Sequence, residues 1–349
     1  MNRAETRAVF LRSIAIDPSE AVAMAGDASS RRYFRLPGSG QILMDAPPET
    51  GEDVRPFMAV TNWLRQEGFS APRIDEADLD QGFLLLEDLG LDLYREVCSR
   101  NPETETTLYS AAIDFLAELG QLPAPKTLPL DGGEITLAPY DLAVLQREAR
   151  LVAEWYVPGT SDGSQRQELA EELDDLLVKA MQPVAAACDV VVLRDFHAEN
   201  LIWLPARAGN QRVGLLDYQD ALAGHAAYDL VSLLEDARRD TSTELQDAMI
   251  SRYLTRSGTD EQAFRQAYAC LGAQRNLKII GIFARLSLRD GKSQYPALIP
   301  RVWRHLQRDL THPALSSLRH WVELNVPAPD APVLAGLEAG RSDSVSAAR

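Results

Sequence analysis

The sequence predicts an α+β chain in two lobes, a small N-terminal lobe on an antiparallel sheet and a larger, mostly helical C-terminal lobe. Three observations carry this. Short apolar runs separated by Gly, Pro and Ser turns fill residues 1 to about 90, and helical apolar periodicity dominates from about 91 onward. That periodicity is interrupted at LRDFHAENLIWLPARAGNQRVGLLDYQD (193–220), where short apolar runs flank a loop dense in Asp and Asn. With 349 residues the chain is long enough to give each lobe a substantial core.

Taken in order, residues 1 to about 18 read as an amphipathic helix with Val9, Phe10, Ser13 and Ile14 on one side. Ala21–Ala25, Arg31–Leu36 and Gln41–Asp45 read as a three-strand meander, joined by the loop Gly26-Asp27-Ala28-Ser29-Ser30 and the turn Pro37–Gly40. A helix over about Val54–Gly68 follows, then a strand pair ending in Gly82-Phe83-Leu84-Leu85-Leu86-Glu87-Asp88-Leu89-Gly90. Helical patterns cover 107–122, 140–157 and 165–187 and resume at about 226–239, 242–256, 259–289 (with a break expected near Gly272), 296–309 and 313–324. The domain boundaries expected are therefore 1–90, 91–326 and a flexible, Pro/Ala/Gly/Ser-rich tail at 327–349.

Composition narrows the function classes. A formal net charge of −16 argues against nucleic acid or an anionic membrane surface as partner. No apolar run reaches the length of a membrane span or a signal peptide, so the location expected is cytoplasmic. Cys98, Cys188 and Cys270 are widely separated, which suits neither a zinc site nor a disulfide framework.

The chemistry concentrates in 193–220. VVVLRD (190–195) reads as a buried strand entering a loop at Asp195. Leu201–Leu204 and Val213–Leu216 read as a hairpin that returns Asp217 to that loop. An isolated D-x4-N is common, and loop Asp and Asn usually serve turns. The flanking strands and the trailing Asp217 change that balance. Phosphoryl transfer needs a carboxylate near the attacking hydroxyl and oxygen ligands for magnesium on the phosphates. Asp195 fits the first need, and Asn200 with Asp217 the second.

These features resemble the aminoglycoside phosphotransferase branch of the protein-kinase-like superfamily. More narrowly, GDASSRRYFRL, LMDAPPE, LLLEDLG, LRDFHAENLIWL and GLLDYQDALAGHAAYDLVSLLEDARRD are similar to the bacterial anomeric N-acetylmuramate/N-acetylglucosamine kinases of peptidoglycan recycling, over roughly residues 20–325. The resemblance implies a two-lobed protein-kinase-like fold and transfer from ATP, with Mg2+, to the C1 hydroxyl of an amino sugar. It makes Asp195 the catalytic base, Asn200 and Asp217 the magnesium ligands, and Asp229 a buried support of the catalytic loop. Ser29 and Ser30 belong to the implied phosphate loop, and Glu87, Asp88 and Leu89 to the adenine edge. His197, Asp220, His225 and Trp155 are candidates for sugar contact. A monomer without nucleic-acid or membrane partners is expected.

Two departures stand out. The His that often sits two before the base is Leu193, and the third strand ends Ile42-Leu43-Met44-Asp45 where a Lys is expected. Arg31 and Arg32 are the candidates to replace that cation, because Arg offers bidentate phosphate contacts. Two further readings stay open: another small-molecule hydroxyl kinase, such as one acting on aminoglycosides, and a catalytically silent nucleotide-binding module.

Overall fold

A computed structural model describes residues 2–24, 30–130, 132–160 and 166–339. In chain order the elements are α1 (Arg3–Ser13), β1 (Val22–Ala23), β2 (Arg32–Leu36), β3 (Gln41–Asp45), α2 (Arg55–Gln66), β4 (Ile74–Asp78), β5 (Phe83–Glu87), α3 (Tyr94–Arg100), α4 (Glu105–Leu119), β6 (Thr127–Leu130) and β7 (Gly133–Thr136). They continue with α5 (Leu142–Ala149), α6 (Val157–Thr160), α7 (Arg166–Ala185), β8 (Val190–Val192), β9 (Leu201–Trp203), β10 (Val213–Leu215), β11 (Leu222–Gly224), α8 (Ala227–Leu234), α9 (Thr243–Ser257), α10 (Glu261–Leu288), α11 (Ile299–Asp309), α12 (Ser316–Asn325) and α13 (Ala331–Glu338). The chain divides into two compact units. The first holds Met1–Phe115, Pro125–Leu137 and Glu199–Ala221, and the second holds the remainder. These limits differ from the expected break at residue 90, because α3, most of α4, the β6–β7 hairpin, β9 and β10 join the sheet-bearing unit.

In the first unit the sheet runs β1-β2-β3-β5-β4, all neighbours antiparallel. Strand alternation sends Phe34, Leu36, Leu43, Phe83 and Leu85 to one face, where Phe10 and Leu11 of α1 cover them. Phe10 and Phe83 stack at 5.2 Å, and each such buried side chain contributes about 1.5–3 kcal/mol. A capping box begins α1: Asn2 Oδ1 accepts from the Glu5 amide at 3.0 Å while Glu5 Oε2 accepts from the Asn2 amide at 2.9 Å. The helix stops at Ser13 rather than near residue 18, because Ala15 takes φ 61° and Pro18 follows. Asp45, fully buried at the end of β3, accepts from Arg3 and Arg7 (2.6 and 3.1 Å) and so ties α1 to the sheet. The strand expected to carry a Lys thus ends in a structural carboxylate on the α1 face.

In the second unit α10 is the axis, packed by α5, α7, α8 and α11. The break expected at Gly272 does not occur: α10 is continuous over Glu261–Leu288. A Cβ on Gly272 would lie 2.6 Å from Asp309 Oδ2, so this glycine permits close approach of α11 rather than ending a helix. The helix expected over 140–157 is instead α5 followed by a π turn, Val152–Tyr156, and α6. Part of the expected flexible tail is ordered as α13. Asp330 caps it, Leu337 is fully buried, and Leu337 O accepts from Ser287 Oγ at 2.9 Å. Residues 340–349 lie outside the described residues. Among the described residues no helix is long and apolar enough to cross a membrane.

Candidate active site

In the first unit β9 and β10 form an antiparallel ladder, Leu201 opposite Leu215, extended by a 2.9 Å hydrogen bond from the Leu216 amide to Asn200 O. The ladder therefore brings Asn200 and Asp217 to one end of the hairpin. Asp217 is exposed and sits at φ 56°, a left-handed conformation costly for a non-glycine residue and common where structure over-determines a functional group. The next residue supplies the restraint. Tyr218 is buried, stacks on Phe57 of α2 at 5.0 Å, and its hydroxyl lies 2.8 Å from Thr61 Oγ1. Burial pushes the Tyr218 phenol well above its ordinary value, so it stays a neutral anchor. An anchored Tyr in the middle of Asp217-Tyr218-Gln219 opposes a flip of this segment. Gln219 Nε2 donates to Asp217 Oδ1 at 2.9 Å and approaches Asp220 Oδ2 at 3.5 Å, and Asp220 is exposed.

Strand alternation separates the two candidate arginines. Arg32 shares the parity of Phe34 and Leu36, on the α1 face, and is exposed. Arg31 goes with Tyr33, which it meets by a side-chain hydrogen bond, and bonds Glu52 Oε2 at 2.8 Å. Burial pulls the Arg31 guanidinium down, but Tyr33, Glu52 and Asp217 outweigh this and hold it above its ordinary value. Burial likewise pushes Tyr33 up to about 12, with Asp217 adding to the rise. Arg31 is therefore a cation in the field of Asp217, whereas Arg32 lies on the opposite strand face. Met44, not Asp45, pairs with Tyr33 in the β2–β3 register.

The phosphate-loop residues 25–29, Ser29 among them, lie outside the described residues, and Ser30 is exposed. At the hinge the Glu87 amide donates to Arg73 O (2.8 Å) and the Asp88 amide to Gly40 O (3.1 Å). The Glu87 carboxylate binds Arg207 at 2.6 Å and Asp88 binds Arg35 at 2.7 Å, while Leu89 is buried. The side chains of Glu87 and Asp88 are thus committed to arginines, which leaves any nucleotide contact there to the main chain.

In the second unit the fully buried strand β8 pairs with β11 and delivers the chain to Leu193, Arg194 and Asp195. Arg194 is also left-handed, at φ 69°. Asp229 of α8 accepts from the Leu193 amide at 2.6 Å and the Arg194 amide at 2.9 Å. Ser232 Oγ donates to Arg194 O at 3.0 Å and itself accepts from Arg275 Nη2 at 2.7 Å. The Arg194 guanidinium pairs with Glu148, which also binds Lys278 Nζ at 3.0 Å and the Tyr140 hydroxyl. Burial raises the Asp195 carboxyl, but Arg275, Lys278 and Arg194 overcome it and hold the group below its ordinary value, ionised at neutral pH. Burial pushes Asp229 up to about 7, against the pull of the two amides. Burial also lowers His197, which is 7% exposed, against the charges of Asp236 and Asp195.

The other sugar-contact candidates fall out as follows. His225 Nδ1 accepts from the Ala227 amide at 3.1 Å, a cap on α8, and its ring meets Phe264 at 6.4 Å. Trp155 is half-buried in the π turn, a local geometry frequent at functional sites. Sequence reasoning missed Glu148, Tyr140, Arg275 and Lys278. The available signal was four polar or charged residues, Gln274, Arg275, Asn276 and Lys278, amid the apolar run of α10.

Residues 20–269 match the phosphotransferase enzyme family. The chain is 38% identical to an N-acetylmuramate/N-acetylglucosamine kinase of Caulobacter vibrioides, over 93% of this chain and 97% of that one. It is 35% identical to the kinase of the same description from Pseudomonas aeruginosa, over 84% of each. Among solved structures, a choline/ethanolamine kinase family protein from Mesorhizobium loti superposes with TM-score 0.60 at 12% identity, over 97% of this chain and all of that one. The streptomycin–ATP–APH(2″)-IIa ternary complex superposes with TM-score 0.60 at 14% identity, over 90% of this chain and 98% of that one. At these identities the superpositions speak for the kinase-like α+β fold alone, while the family match and the sequence relatives carry the assignment. The chain belongs to the phosphotransferase enzyme family.

Proposed function

We propose that this protein is an ATP-dependent kinase that phosphorylates the C1 hydroxyl of N-acetylmuramate and N-acetylglucosamine during recycling of cell-wall sugars. The observation that carries the reading is near full-length similarity to an N-acetylmuramate/N-acetylglucosamine kinase in a chain that carries Asp195, Asn200 and Asp217.

Asp195, held ionised by Arg275 and Lys278, takes the proton of the C1 hydroxyl. The anomeric hydroxyl is more acidic than an ordinary alcohol, so a weak carboxylate base suffices. As that proton leaves, the C1 oxygen forms its bond to the γ-phosphorus, the bond to the β,γ-bridging oxygen breaks, and ADP departs. The Asn200 amide oxygen and the Asp217 carboxylate would hold magnesium. Two protein oxygens on one hairpin end suit an ion that keeps phosphate and water ligands. When bound, Mg-ATP supplies the phosphoryl group and neutralises its developing charge.

Arg31 takes the place of the missing strand Lys as the phosphate cation, with Ser29 and Ser30 offering loop donors. The main chain of Glu87–Leu89 borders adenine. His197, Asp220 and Trp155 are the proposed sugar contacts, and His225 reaches substrate only through Nε2, since Nδ1 caps α8. The test is an ADP-release panel. Turnover with N-acetylmuramate and N-acetylglucosamine but not with kanamycin-type amines is expected. Turnover with the amines alone, or with none of these acceptors, rejects the reading.

A further inference from the structure

On the first unit, beside the hinge, lies a cavity of about 290 Å³ lined by Arg65, Phe69, Ser70, Arg73, Arg207 and Gln211, with Glu87 at its wall. Three guanidiniums converge there, in a chain that is acidic overall. Arg207 donates to Glu87 Oε1 at 2.6 Å and to Ser70 Oγ at 2.8 Å. Arg65 Nη1 donates to Ala71 O at 3.0 Å and sits 3.7 Å from Glu87 Oε2. Arg73 pairs with Asp75. Three cations against two carboxylates leave one positive charge uncompensated, in a chain whose formal net charge is −16.

We propose that this cavity is an accessory site for a phosphate group, as free phosphate or as the phosphate of a small monoester. Guanidiniums have a planar donor fork that matches phosphate oxygens, and each carries five N–H donors, more than the protein acceptors named above consume. The buried Ser70 hydroxyl donates to Gln211 O at 2.7 Å and Gln211 Nε2 donates to Gly68 O at 3.1 Å, so these neutral groups brace the wall and leave the arginines as the ligand donors. Glu87 stays on the wall as a like charge, so the anion is held on the side of Arg73 and of the donors of Arg65 and Arg207 that Glu87 does not take. The volume accommodates a small ligand rather than a nucleotide. The site does not depend on the proposed reaction, since none of its arginines has a role there.

Titration calorimetry of the full chain with inorganic phosphate, and separately with N-acetylglucosamine 1-phosphate, tests this. Binding should weaken by about tenfold or more in Arg73→Gln and in Arg207→Gln, each of which removes one charged donor fork, and should persist in Arg31→Gln. Arg73 is largely exposed, so its variant keeps the test clean if Arg207→Gln destabilises the unit. Binding of both ligands that weakens in Arg73→Gln and Arg207→Gln assigns free phosphate as sufficient, and binding of the ester alone with the same loss assigns a monoester; either supports the site. Binding of neither ligand, or binding kept at wild-type strength in Arg73→Gln and Arg207→Gln, overturns it.

Discussion

Glu148→Gln is the sharpest perturbation of the second unit. Glu148 has 11% side-chain exposure and faces two cations, Lys278 at 3.0 Å and Arg194, with the Tyr140 hydroxyl as a third donor. Gln keeps the volume but removes the charge and turns one acceptor oxygen into an NH2 group aimed at a cation. Leaving a buried charge without its partner costs about 3–5 kcal/mol. At ~2 °C per kcal/mol for a chain of this size, the melting temperature falls by roughly 6–10 °C. Arg194 directly precedes Asp195, so displacement of its side chain moves the base, and kcat drops by roughly 10–100-fold at a temperature where the variant is folded. Burial raises the Glu148 carboxyl, but Lys278 and Arg194 more than reverse this, so its folded value lies below the unfolded 4.5. Its stabilisation is therefore full above pH 4.5 and is lost as pH falls through the folded value, and the Gln variant lacks this acid-dependent part. Adding Lys278→Met to Glu148→Gln removes the stranded ammonium and should recover part of the loss. Calorimetric melting and steady-state rates read all of this. A melting temperature within ~2 °C of wild type with unchanged kcat, or strictly additive double-variant losses, refutes the reasoning.

Three other perturbations follow from the geometry. Asp195→Asn should lower kcat by about 10²–10⁴-fold, the usual contribution of a general base, while nucleotide affinity measured by calorimetry stays within a few-fold of wild type. Arg31→Gln should raise KM for ATP by about tenfold, whereas Arg32→Gln, on the opposite strand face, should leave it unchanged; equal effects would contradict the alternation argument. Asp229, raised from 3.8 to about 7 mainly by burial, stabilises the fold fully below pH 3.8 and progressively less as pH rises through about 7, so Asp229→Asn should flatten the melting-temperature profile across that window.

Much of the site was legible along the chain because its determinants are local. The β2–β3 meander, β5 with its hinge, and the β9–β10 ladder are short-range pairings whose apolar runs and turn residues lie next to one another in sequence. What escaped depends on partners far apart in the chain. The strand expected to carry a Lys ends in Asp45, and its pairing with Arg3 and Arg7 on the α1 face explains a carboxylate there. Arg275 and Lys278 appear in sequence as ordinary helical polar residues, since Ser232 and Glu148 lie on other helices. Gly272 read as a break because helix propensity counts against glycine, while the deciding fact is the Asp309 carboxylate packed against it. The Ala/Pro/Gly composition of 327–339 suggested disorder, yet the Asp330 cap and the burial of Leu337 were enough to order a two-turn helix.

The central claim is transfer to the anomeric oxygen, and the position of the phosphate on the product tests it most directly. Incubation with Mg-ATP and N-acetylglucosamine, followed by phosphorus NMR and a reducing-sugar assay, should show a phosphate coupled to H1 and loss of reducing-end reactivity in step with ADP release. A phosphate coupled to the C6 protons, with the reducing end intact, would contradict the account.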